Sequence, residues 1–122
     1  LAAVAQTPAV QALRQRLERG GVCPCAGVSP AAQPFLAAVL RHLFPQRPLV
    51  VVTEGLHAQE SFHQDLTTWL RTVDSDAPPG DARSTPQLPP PLFYPSWEIL
   101  PHEAKLPHVD VISERLETLV AL

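Results

Sequence analysis

The chain has 122 residues and a mass of 13.3 kDa, room for one small domain and too little for a multidomain motor. Its 9 basic and 12 acidic residues leave a net charge of −3, so it lacks the basic field that tight, autonomous DNA binding needs. At 45% hydrophobic residues the composition is globular, and no apolar run reaches the roughly 18 to 20 residues of a membrane helix, which predicts a soluble, cytoplasmic chain without membrane contact.

In chain order, the apolar stretch Leu1 to Ala5 has no charged residues before it and does not read as a signal peptide. Thr7-Pro8 opens a helix, threonine as a cap and proline in the first turn, and Gly20-Gly21 closes it. Between them Val10, Leu13 and Leu17 recur at helical spacing among polar and basic neighbours. Val22-Cys23 is a short candidate strand. Cys23 and Cys25 are too close for an unstrained disulfide, and no second pair completes a zinc site.

A turn over Pro24 to Pro30 leads into a helix over 31–44, in which Phe35, Leu36, Val39, Leu40 and Leu43 share a face and Pro34 is tolerated in the first turn. Leu49-Val50-Val51-Val52-Thr53, between Pro48 and Gly55, is a continuous β-branched run of the kind that forms a strand buried on both faces. A helix over about 56–70 follows. The composition then shifts to Pro, Asp, Ser and Gly between residues 74 and 91, which reads as a disordered insertion, with a ligand for an aromatic groove as the other reading. Leu92-Phe93-Tyr94 is a third short strand, and Val109 to Leu122 a final helix with Asp110 favouring its dipole.

This order of elements predicts an α/β fold, a partial parallel sheet with flanking helices. Three short strands make a meagre sheet, and the last helix is apolar without a stop signal, so the chain reads as a fragment of a larger polypeptide.

In such a fold the turn after the first strand is where a phosphate would bind. Here it is Gly27-Val28-Ser29-Pro30-Ala31-Ala32-Gln33-Pro34. A phosphate-binding loop needs a second glycine, a lysine and a hydroxyl, and Ala32, Gln33 and Pro34 stand at those places, so no cofactor is expected in this segment. The histidines His42, His57, His63, His102 and His108 form no i, i+4 ligand pair, and no serine lies in a nucleophile elbow, so neither a metal site nor catalysis is expected.

The most individual stretch is Phe93-Tyr94-Pro95-Ser96-Trp97-Glu98-Ile99-Leu100-Pro101, followed by Pro107-His108-Val109-Asp110-Val111-Ile112-Ser113-Glu114-Arg115-Leu116. A tryptophan between prolines is a rigid anchor for core or interdomain packing, or a platform for base stacking. Glu114 and Arg115 also fit a solvated pair.

This stretch resembles the amino-terminal part of the bacterial transcription-repair coupling factor, Mfd, whose members carry a phrase of the type FPxWExLPY and then SPHxDIxxERLxxL. Trp97, Glu98, Leu100, Pro101, Pro107, His108, Asp110, Glu114, Arg115, Leu116 and Leu119 are in register with it. Tyr94 is inserted between Phe93 and Pro95, His102 replaces an aromatic residue and Leu106 replaces the serine. The specific match covers about 25 residues and extends more weakly back to Gly27.

The resemblance implies residues 1–122 of a UvrB-like first domain of P-loop NTPase type, with the nucleotide loop degenerate at Gly27, Ala32, Gln33 and Pro34. It further implies a DNA-repair protein that displaces lesion-stalled RNA polymerase and recruits UvrA. ATP and magnesium belong to the full-length translocase, whose DNA-binding motor domains lie beyond Leu122. This segment is then a non-catalytic scaffold, with Trp97, Glu98, His108, Asp110, Glu114 and Arg115 as its packing residues. Two alternatives remain, a fragment of a UvrB-type or other helicase that binds nucleotide, and a stand-alone interaction domain built on the proline-rich stretch.

Overall fold

The structure, a computed structural model, describes residues 1–75, 89–97, 99, 102–103 and 105–122, and within these the side chains of 1–72, 89–97, 99, 102–103 and 105–122. The expected proline-rich insertion falls largely outside the described residues, as do Glu98, Leu100 and Pro101. Among the described residues five α-helices carry the architecture: α1 (Ala2–Ala5), α2 (Pro8–Arg19), α3 (Gln33–Leu43), α4 (Leu56–Ser75) and α5 (Val109–Ala121), with a 3-10 turn at Pro30–Ala32 before α3.

The start of α2 lies where Thr7-Pro8 places it, but threonine does not cap it. Thr7 has the extended backbone of a capping residue, yet its hydroxyl donates backwards to the Val4 carbonyl at 2.7 Å, closing the end of α1 instead. Gln11 ties the same two helices by donating from Nε2 to the Ala5 carbonyl at 2.6 Å. Gly20 ends α2 with a φ of 80°, a left-handed region that a Cβ disfavours, while its N–H reaches the Leu17 carbonyl. The short α1 was not legible as a helix, since four apolar residues show no period.

The core lies where α3 packs on α4 and α1 packs on α3. Ala5, Ala37, Ala38 and Val39 are buried there, and Phe35 meets Trp69 edge to face with centroids 4.9 Å apart. Small residues on α3 let the helices approach closely, and the cost is little apolar volume: Val39 and Pro95 are the largest side chains fully buried among the described residues. Cutting Val39 to alanine empties part of a fully buried position and lowers stability by about 2 kcal/mol in a urea melt.

The expected α/β fold with a partial parallel sheet is corrected by the structure: among the described residues there is no strand, and with it goes the likeness to a P-loop NTPase-like domain. Leu49 to Thr53, though rich in β-branched residues, forms no ladder on either side. Val50 is 78% and Val52 90% exposed, where a strand covered by helices would have both near zero. Val22-Cys23 and Leu92-Phe93-Tyr94 are likewise unpaired. β-branching favours a strand, whereas a sheet needs ladder hydrogen bonds between neighbours, and none joins these three runs. Helix α4 also runs past the expected end at about residue 70, to Ser75.

Candidate functional site

The most elaborate polar arrangement is a clamp on the segment Pro91 to Trp97. Pro91 and Pro95 have no N–H, so this segment is a poor ladder strand, and its carbonyls must find other partners. They are met by side chains of two helices. From α4, His63 Nε2 lies 3.1 Å from the Pro91 carbonyl and Gln59 Nε2 donates to the Tyr94 carbonyl at 2.9 Å. From α5, Thr118 Oγ1 donates to the Phe93 carbonyl at 2.7 Å and Arg115 donates to the Pro95 carbonyl. A carbonyl only accepts, so His63 holds a proton on Nε2 in this contact.

Sequence spacing explains the arrangement. Gln59 and His63 are one helical turn apart, and so are Arg115 and Thr118, so each helix presents two polar groups on one face. The His63 ring also packs edge-on to Phe93, with centroids 5.3 Å apart.

Arg115 is the hub. Its guanidinium lies 3.9 Å from the centre of the Tyr94 ring and 4.2 Å from that of Trp97, and it also donates to the Tyr94 hydroxyl. A planar cation can stack on aromatic faces while its edge donates in the plane, which lysine cannot do. Trp97 remains 51% exposed, so half of this anchor faces outward.

His108 is the N-cap residue of α5. Its Nδ1 accepts a long 3.4 Å hydrogen bond from the Asp110 N–H and lies 3.2 Å from Asp110 Oδ2. The two contacts need opposite states of the ring: the lone pair of Nδ1 accepts from the backbone, whereas a proton there would donate to the carboxylate. Glu114 and Asp110 line a shallow cleft of about 210 Å³ with Glu60, above the apolar Leu56, Phe93 and Val111. The cleft is smaller than the roughly 300–1,000 Å³ of small-molecule sites.

Of the expected packing residues, the structure thus brings Trp97 and Arg115 together and places His108, Asp110 and Glu114 at the foot of α5. Glu98 lies outside the described residues. Gln59, His63 and Thr118 were missed, because polar residues at helical spacing look like a solvated face until a proline-rich segment is seen to lie across them.

In the turn from Gly27 to Pro34 several backbone groups are taken or missing. Gly27 is not in the positive-φ region, and the N–H groups of Ala32 and Gln33 are spent on the Ser29 and Pro30 carbonyls. Pro30 and Pro34 supply none, and Pro34 is buried. The Cys25 thiol is pushed up from its ordinary value, by desolvation first and then by Cys23, which keeps it protonated and a weak nucleophile at neutral pH. Among the described residues no group of three or more His, Cys, Asp or Glu side chains could hold a metal ion. No helix among them is long and apolar enough to cross a membrane.

In comparisons with known proteins, no protein-family model, no curated protein and no solved structure matches the chain.

Proposed function

We propose that this chain is a non-catalytic scaffold segment of a transcription-repair coupling factor, a cytoplasmic DNA-repair protein that displaces lesion-stalled RNA polymerase and recruits UvrA. The reading rests on the phrase around Trp97 and Arg115, and one observation carries it: Arg115 stacks on both Tyr94 and Trp97 while holding the Pro95 carbonyl. Residues 20 positions apart in the phrase therefore serve one packing unit. A half-exposed tryptophan fixed by an arginine is a preorganised anchor, suited to packing against a neighbouring surface. The role is structural: the segment holds its surroundings together and helps present or mask the surface that recruits UvrA. ATP, magnesium and DNA belong in this reading to motor domains encoded elsewhere in the same reading frame.

The test uses the complete open reading frame that contains this chain. With Trp97→Ala or Arg115→Ala in that protein, repair of the transcribed strand loses its advantage over the other strand while ATP-driven polymerase displacement persists. Unchanged strand preference in both variants, or a reading frame without an intact GKT loop downstream, sinks the proposal.

A further inference from the structure

A second depression, of about 180 Å³, opens between α2, α3 and the turn that follows α3, lined by Leu17, Leu40, Phe44 and Leu49 with Arg41 and Arg47 at its rim. Its volume is below that of a cofactor or nucleotide site and suits one or two apolar side chains. The rim is cationic and preorganised. Arg41 is held by a hydrogen bond to the Pro45 carbonyl, and the Arg47 guanidinium stands 5.0 Å from the centre of the Phe44 ring, which leaves its donor edge free for a carboxylate.

Charge along the chain is divided to match. Residues 1–53 carry five arginines against one glutamate, a net of +4, whereas residues 54–122 carry four cations against eleven acids, a net of −7. The acidic half ends in α5, which is amphipathic the wrong way round for a packed helix. Val111 and Thr118 face inward, while Val109, Leu116 and Val120 lie on the opposite face, 65%, 56% and 87% exposed. Asp110, Glu114 and Glu117 form a ridge along one side of that apolar stripe. Helix α5 is in none of the principal helix pairs, its inward face being taken by the Pro91 to Trp97 segment.

We propose that α5 of one copy docks in the α2–α3 depression of a second copy, its apolar stripe filling the floor and its acidic ridge meeting Arg41 and Arg47. Both partners of the contact are thus on the same chain, and their charges and apolar surfaces are complementary. The contact joins unlike surfaces, so it closes as a reciprocal dimer or propagates head to tail. Nucleic acid is the poorer occupant, because the floor is aliphatic and Phe44, the aromatic ring that lines it, has Arg47 beside it.

Sedimentation velocity on the 122-residue chain at low salt tests this. The average mass rises above the monomer at around 100 μM, as expected for a small contact, and added salt reverses the rise. The pair Arg41→Glu and Arg47→Glu stays monomeric, as does the pair Glu114→Arg and Glu117→Arg. Their equimolar mixture associates again, because the acidic helix of the first meets the intact depression of the second. Helical circular dichroism establishes that each variant is folded, and Leu116→Ser, which alters no charge, gives the same loss from an already exposed position. The proposal is overturned by a wild-type chain that stays monomeric at every concentration, or by association that survives both reversals. An oligonucleotide or foreign acidic peptide that binds at Arg41 and Arg47 without any self-association overturns it too.

Discussion

Arg115 concentrates more distinct interactions than any other residue described, and its replacement separates charge from shape. In Arg115→Lys the charge stays but the planar stacking on Tyr94 and Trp97 and the forked donation are lost, which costs about 1–2 kcal/mol in a thermal or urea melt. Equal stability of the lysine variant contradicts the hub. Thr118 tests the clamp from the other side. Thr118→Val keeps the volume and removes the donor to the half-buried Phe93 carbonyl, which costs about 1 kcal/mol in the same melt. No loss on that change places the Phe93 carbonyl in water instead.

At the scale of elements, α2 to α5 were legible, while α1 and the packing partners of all five were not. Pro8 with Gly20, the periodic face of α3 and the apolar run of α5 each carry a local signal, and the helices appear there within a few residues. The face of α5 could not be assigned, because its apolar residues occupy both sides and only the position of Pro91 to Trp97 decides which side is covered. Leu49 to Thr53 misled for a related reason: β-branching favours a strand, while burial depends on neighbours that no local pattern specifies. That difference can be measured. Val50→Lys and Val52→Lys change stability by no more than about 0.5 kcal/mol each if these side chains face solvent as described. A loss above about 3 kcal/mol for either is the mark of a strand buried on both faces.

For the whole molecule, the balance between core and surface sets the character of the protein. Among the described residues the buried hydrophobic core is Ala5, Ala37, Ala38, Val39 and Val111, with Pro34 and Pro95 beside it, while Val50, Val52, Leu106 and Val120 are each at least 78% exposed. Such a molecule has little to gain from folding alone and much from being covered, which agrees with a packing role and predicts a broad, weakly cooperative melt that sharpens when a covering partner is added. A sharp, concentration-independent transition in the isolated chain runs against it. The candidate site was partly legible in the sequence: Trp97 stands out as a tryptophan between prolines and Arg115 only through the family resemblance, since by itself it also fits a solvated pair with Glu114, whereas Gln59, His63 and Thr118 gain meaning only from the carbonyls they reach.

The proposed scaffold role expects a chain that binds no nucleotide, and the N–H groups of Ala32 and Gln33, taken by the Ser29 and Pro30 carbonyls within their own turn, are in keeping with that expectation. Titration of the purified chain with a fluorescent ATP analogue, with and without magnesium, tests it most directly. A scaffold gives no saturable signal up to about millimolar nucleotide; magnesium-dependent binding in the micromolar range, lost in a variant of the Gly27 to Pro34 turn, overturns that role.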